Sequence, residues 1–216
     1  MRDKRDQHSF NVRYFAAHRD RERERILTRQ RARLELLRGL KARPCADCAM
    51  TYLPHQMDFD HRDPSKKSFD LADGTTLLRS EASVLAEVAK CDVVCANCHR
   101  TRTRIWHQRR LAARGPSAAK SRYIERKRAR WRTDASLLDA IRNVPCMDCG
   151  ERLPPWAMEF DHRDPATKTG TVTQMIGRAS LNRLLAEVDR CDIVCTNCHR
   201  DRTFRRRTAA ATPERE

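Results

Sequence analysis

Apolar positions come in short runs along this chain, and the period of each run changes where Pro, Asp or Cys interrupts it. Between residues 19 and 41, Leu34 with Leu37 and Leu36 with Leu40 fall at helical spacing among Arg, Glu and Lys. That pattern predicts a charged helix ending before Pro44, because the residue ahead of a proline avoids the helical region. Met57 and Phe59 then alternate with Asp58 and Asp60, the period of a half-buried strand running up to His61. Val84, Leu85 and Val88 return to helical spacing over residues 83–89, and Val93-Val94 predict a second strand that leads into a basic helix.

The whole succession occurs twice. Pro44-Cys45-Ala46-Asp47-Cys48 returns as Pro145-Cys146-Met147-Asp148-Cys149, and Asp58-Phe59-Asp60-His61-Arg62-Asp63-Pro64 returns as Glu159-Phe160-Asp161-His162-Arg163-Asp164-Pro165. Cys91-Asp92-Val93-Val94-Cys95-Ala96-Asn97-Cys98-His99-Arg100 has its counterpart in Cys191-Asp192-Ile193-Val194-Cys195-Thr196-Asn197-Cys198-His199-Arg200. The offset is 101 for the first two blocks and 100 for the last, so one residue is missing between the histidine and the final cysteines of the second copy. Trp131, Leu137, Leu138 and Ile141 repeat the charged helix, and Leu184, Leu185 and Val188 repeat the short one over residues 181–189. Self-similarity of this kind fixes the organisation before any chemistry is considered. We expect a basic, poorly ordered N-terminal segment at 1–18, one repeat over 19–106, a linker over 107–119, a second repeat over 120–206 and a disordered tail at 207–216. The linker, containing Gly115, Pro116 and Ser117, should be flexible and hold its ends roughly 20 Å apart.

Composition matters first through cysteine. Only 39% of the 216 residues are hydrophobic, so each repeat has a thin core and needs a staple. Eight of the ten cysteines form four Cys-x-x-Cys pairs. The pairs are separated by 46 residues in the first copy and 45 in the second. Two sulfurs three positions apart reach one tetrahedral ion, so Cys45, Cys48, Cys95 and Cys98 are expected to hold one structural zinc, and Cys146, Cys149, Cys195 and Cys198 another. A site closed by four thiolates leaves no position for water or substrate, so this zinc is structural rather than catalytic. Cys91 and Cys191 lie outside the pairs and read as small buried residues at a strand start, or as alternative ligands. There is no apolar leader and no apolar run of about 18 residues, which with the thiol count predicts a reducing, cytoplasmic setting.

Charge adds the partner. Lys and Arg number 45 against 29 Asp and Glu, a net of +16, and the cations flank the cysteine motifs on both sides. Such a surplus favours a polyanion, nucleic acid above all, although an Arg-rich surface can also serve solubility alone.

Once the cysteines are assigned, each copy still has Asp-His at the end of its first strand and a His directly after its last cysteine. Cys-x-x-Cys, Asp60-His61 and Cys95-x-x-Cys98-His99, with their repeats, resemble the zinc-containing HNH, or ββα-metal, nucleases over most of residues 41–104 and 142–204. The resemblance implies a small α+β fold: two tandem zinc-stapled ββα-metal modules, treble-clef-like, each preceded by a charged helix. It implies His61 and His162 as general bases, and Asp60 with His99 and Asp161 with His199 as ligands of a catalytic Mg²⁺ or Mn²⁺, one per repeat. The family's middle asparagine has no counterpart in the expected loop, where this chain has Lys90-Cys91-Asp92 and Arg190-Cys191-Asp192. Asn97 and Asn197 are expected to brace the loop instead.

The chemistry is consistent with this reading. Phosphodiester hydrolysis needs an activated water and charge neutralisation on the phosphate, and a neutral imidazole beside a carboxylate-bound cation supplies both. Arg62, Lys67, Arg100 and Arg102, with Arg163, Lys168, Arg200 and Arg202, lie beside the motif and are candidates to grip phosphates. The expectation is therefore a hydrolase, an endonuclease acting on nucleic acid (double-stranded DNA foremost), monomeric but working as a pseudo-dimer with both sites active. The alternatives are a zinc-dependent nucleic-acid-binding protein without catalysis, or a nuclease subunit of a larger packaging or restriction complex.

Overall fold

The computed structural model describes residues 4–114 and 121–211. Each repeat is a small α+β module with a two-stranded antiparallel sheet. In the first, a long helix α1 (Lys4–Lys41) leads to strand β1 (Met57–His61), helix α2 (Glu81–Val88), strand β2 (Cys91–Cys95) and helix α3 (Ala96–Arg114). In the second, α4 (Arg122–Ile141) leads to β3 (Met158–His162), the short α5 (Val172–Met175), α6 (Leu181–Val188), β4 (Cys191–Cys195) and α7 (Thr196–Ala211). The one-residue difference falls where repeat 1 has a 3-10 turn at Gly74–Leu78 and repeat 2 has α5.

The strands pair in the same register, Met57 opposite Cys95 and His61 opposite Cys91, with Met158 opposite Cys195 and His162 opposite Cys191. Alternation along β1 divides its labour. Met57, Phe59 and His61 share one face and Asp58 and Asp60 the other, because successive side chains of a strand point oppositely. Each repeat has two small cores. Cys45, Met57, Val93, Val94 and Cys95 cluster around the thiols, while Leu37, Leu71, Val84 and Cys91 join α1 and α2 to the strand end, and Phe59 packs against both. Repeat 2 is built alike, with Cys146, Met158, Val194 and Cys195 in one cluster and Leu138, Val172, Ile176, Leu184 and Cys191 in the other.

Three expectations need revising. Leu85 and Leu185, read as core residues, stand 39% and 37% exposed, because the inward stripe runs from Val84 to Glu87 and from Leu184 to Glu187, three positions on, and leaves them beside it. The segment from residue 107, expected as flexible linker, continues α3 to Arg114, since Leu111-Ala112-Ala113-Arg114 are strong helix formers. The tail and the N-terminal segment likewise carry helix, to Ala211 and from Lys4. The remainder of the linker and of both termini lies outside the described residues.

The repeats pack directly on each other about an approximate twofold axis through Asn97 and Asn197. The Asn97 amide N–H donates to Asn197 Oδ1 at 3.2 Å, and the Asn197 N–H to Asn97 Oδ1 at 3.1 Å. The contacts around this pair correspond in position while differing in kind. His55 stacks on Phe204 at 4.2 Å and meets Asp201 Oδ1 at 3.0 Å, whereas at the matching places Trp156 donates to Thr101 at 3.3 Å and lies under the Arg104 guanidinium.

Candidate functional site

The four thiols of each repeat converge, their sulfurs all lying within 4.8 Å of one another. Cys45 and Cys48 come from a tight knuckle closed by the Ala49 N–H to Cys45 O bond at 2.9 Å, and Cys95 and Cys98 from the β2–α3 junction. Among the described residues these two four-Cys groups are the only places where three or more metal-ligating side chains come together. The local chemistry suits thiolates. Burial opposes ionisation of Cys45, yet the backbone N–H groups of Cys48, Cys95 and Asp47 outweigh it and lower its pKa to about 7. Cys98 goes the other way, pushed far up first by burial and then by the neighbouring sulfurs of Cys95 and Cys45. Four such sulfurs ionise together only with a cation among them, and a soft dication of zinc's size fits this donor set. The buried Nδ2 of Asn197 finds no ordinary acceptor and lies beside Cys95, where a metal-bound thiolate would serve.

Cys91 and Cys191 stand apart from both groups. Each thiol donates to the carbonyl of Glu87 or Glu187, at 3.5 and 3.3 Å, and burial raises each to about 11. They are small core residues of low reactivity.

On the outer face of β1, Asp58 and Asp60 meet the first turn of α3. His99 Nδ1 donates to Asp58 Oδ2 at 2.8 Å, and His99 Nε2 lies 3.5 Å from Asp60 Oδ1. The hydrogen bond to Asp58 raises the His99 pKa against its partial burial. Asp58, pushed up by burial, is pulled well below the carboxylate range by His99 and by Arg200. The fixed carboxylate accepts from Nδ1 and so leaves Nε2 as the atom turned to Asp60. On the inner face, His61 Nε2 donates to Glu87 Oε1 at 2.8 Å. Burial raises Glu87, but hydrogen bonds from Lys90, the Ser68 amide and His61 hold it at about 2. Because a carboxylate only accepts, neutral His61 keeps its lone pair on Nδ1. Asp60 and His61 together line a cleft of about 610 Å³, rimmed by Trp106, His107 and Arg109, and a second of about 220 Å³ that includes His99 and Lys67.

Repeat 2 brings the same groups together. His162 donates to Glu187 at 2.8 Å, His199 Nδ1 pairs with Glu159, and His199 Nε2 lies 3.3 Å from Asp161 Oδ1. Asp161 first and Glu159 second raise His199 to about 9. Its environment differs in two respects: Glu159 stands where repeat 1 has Asp58, and Arg206 donates from Nη1 to Asp161 Oδ1 at 2.9 Å and from Nη2 to Oδ2 at 2.6 Å. The nearby cleft of about 500 Å³ is lined by Glu159 and His199 and not by Asp161 or His162.

The arginines expected to grip phosphates are engaged elsewhere. Arg62 and Arg163 tie the carbonyls that close α2 and α6 to the strands, through Ala89, Cys91, Asp189 and Cys191. Arg102 bridges Asp47, Asp60 and Asp92, and Arg202 bridges Asp148, Asp161 and Asp192. Arg100 crosses to Glu159 of the other repeat, and Arg200 crosses to Asp58 with bonds of 2.8 and 2.7 Å. Lys67 pairs with Asp70 at 3.1 Å, and Lys168 is exposed. Asn97 and Asn197 brace each other across the repeat boundary rather than a loop of their own repeat. Sequence reasoning missed Asp58 and Glu159, Glu87 and Glu187, and Arg206. A signal did exist for two of these pairs. Asp58 and Asp60 share a strand face by period, and Leu-Ala-Glu-Val occurs unchanged in both copies with a carboxylate at an otherwise apolar step. Comparison with protein-family models, with curated proteins and with solved structures finds no match for this chain.

Proposed function

We propose that this protein is a metal-dependent endonuclease of the HNH type, hydrolysing phosphodiester bonds in DNA, with a structural zinc in each repeat. The observation that carries the reading is that Asp60, His61 and His99 all line one cleft of about 220 Å³, each held by its own carboxylate or arginine partner. Within this reading each two-stranded sheet and its following helix form a ββα-metal, treble-clef-like module. His61 is the general base: Glu87 anchors Nε2, so Nδ1 is the atom that takes the proton from the attacking water. His162 and Glu187 have the same relation in repeat 2. Asp60 with His99 would hold Mg²⁺ or Mn²⁺, which would supply charge neutralisation at the phosphoryl and leaving oxygens, and Asp161 with His199 are their counterparts in repeat 2. Two protein ligands suit Mg²⁺, which commonly keeps several waters and takes the rest of its shell from the substrate phosphate. Asp58 orients His99 so that Nε2 faces Asp60, and Arg102 steadies Asp60 at 3.1 Å.

The ion pair between Asp60 and Arg102 also favours a second reading, a zinc-held nucleic-acid-binding protein in which these carboxylates are structural. Nicking of supercoiled plasmid separates the two. We expect nicking in Mg²⁺ or Mn²⁺ that EDTA abolishes. A His61→Ala/His162→Ala double variant should cut about 10²–10⁴-fold more slowly with zinc content and DNA affinity unchanged. Tight binding without any cleavage would favour the second reading, and undiminished cleavage by the double variant would place the chemistry elsewhere.

A further inference from the structure

The surroundings of the two Asp-His-His constellations differ conservatively at Asp58 against Glu159, and sharply at one further position. At the offset of 100 that relates α3 to α7, Arg206 in repeat 2 corresponds to Trp106 in repeat 1. Arg206 grips Asp161 through both carboxylate oxygens, at 2.9 and 2.6 Å, and reaches the His162 carbonyl at 3.4 Å. With Arg202 also on Oδ2 at 3.1 Å, Asp161 is left only 3% exposed. An indole cannot make a bidentate pair. Trp106 instead turns to the surface and lines the cleft that Asp60 and His61 open into. Asp60 has Arg102 on Oδ2, meets only His99 through Oδ1, at 3.5 Å, and its side chain is 22% exposed.

Physically these are different sites. A fork-to-fork guanidinium–carboxylate pair occupies both oxygens that a cation would use, and it sets a positive charge where the cation's charge would sit. A divalent ion can enter repeat 2 only by expelling Arg206 from its bidentate hold on a nearly buried carboxylate, whereas in repeat 1 one carboxylate oxygen and the His99 Nε2 already face each other at the edge of an open cleft. The cross-repeat arginines do not distinguish the sites, since Arg200 on Asp58 and Arg100 on Glu159 match.

We propose that the chain binds one non-zinc divalent cation, in repeat 1 on Asp60 and His99, and that the Arg206 guanidinium fills the equivalent place in repeat 2. In terms of the nuclease reading, on which the cation's purpose rests, repeat 1 cuts. Repeat 2 supports it by sending Arg200 to the carboxylate that orients His99.

Counting Mn²⁺ tests this on the full, zinc-loaded chain, because Mn²⁺ prefers oxygen and imidazole and leaves thiolate sites to zinc. Electron paramagnetic resonance of free Mn²⁺ during titration should give one bound ion per chain. Asp60→Asn should weaken that binding by at least about tenfold. Arg206→Ala should raise the count to two, and Trp106→Arg should reduce it to none. Two ions or none in the unaltered protein would overturn the proposal, as would an Asp60→Asn or Trp106→Arg variant that binds as before. If Arg206→Ala loses its zinc or its helical circular dichroism, Trp106→Arg, a change at a 42% exposed position, decides alone. Plasmid nicking is scored separately. One bound Mn²⁺ without cleavage would sink the nuclease reading and leave the site assignment standing, while two bound ions with cleavage would do the reverse.

Discussion

Ala49 adopts φ 60°, directly after the second cysteine of its knuckle, where repeat 2 has Gly150 at φ 73°. The turn that points two sulfurs at one ion requires a left-handed residue at this step, and an L side chain there is strained. The duplication thus contains its own control. Ala49→Gly should stabilise the zinc-saturated protein by roughly 0.5–1 kcal/mol, and Gly150→Ala should cost about 1 kcal/mol, since nothing lies within 4 Å of where its methyl would stand. Urea unfolding of both variants checks this, and equal midpoints would show that the knuckle tolerates the strain. Residues of this kind were partly legible in the chain. The sulfurs were visible because metal ligation fixes spacing, and the nearness of Asp60, His61 and His99 followed from their places at the strand end and the helix start. Glu87 left only the repeated Leu-Ala-Glu-Val as a signal, and its buried carboxylate makes sense only once His61, 26 positions away, is known to donate to it.

Elements were easier to foresee than their ends. The strands, short helices and basic helices stand where period and cysteine spacing put them, because each is short and one-sided. Helix lengths were underestimated: α1, α3 and α7 continue through residues with no apolar stripe, held by propensity rather than by packing. A two-stranded sheet with one short helix is marginal by itself, and the thiol group is what ties β2 and the knuckle to the start of α3. We therefore expect about two zinc ions per purified chain, and loss of the β-sheet and of α2 and α6 on chelation. Elemental analysis with circular dichroism measures both. Folded protein holding one zinc or none would remove the staple from this account.

Across the whole molecule, charge and symmetry act together. Arg62, Arg100, Arg102 and their counterparts are committed to carboxylates and carbonyls, so any attraction to a polyanion would fall to other exposed cations of α1, α3 and α4, such as Arg29, Arg31, Arg109 and Arg126. If these carry the affinity for duplex DNA, log K should fall linearly with log salt at about −0.9 per phosphate neutralised. An affinity unmoved between low and high salt would refute the electrostatic account. No helix among the described residues is long and apolar enough to cross a membrane. Direct packing of the repeats was invisible in the chain, because Asn97 and Asn197 contact each other across 100 positions and no local pattern encodes a partner that far away. That contact is isologous in form: the same patch meets itself, as in a twofold dimer. In a true homodimer every substitution appears on both sides of the axis, so an arginine that blocks one site blocks both. Covalent tandem arrangement removes that rule. A change at residue 206 has no obligatory twin at residue 106, so one half can trade chemistry for support without costing the other half its own. Heterodimers obtain that freedom from a second gene, and here a single polypeptide obtains it by joining both halves in one chain.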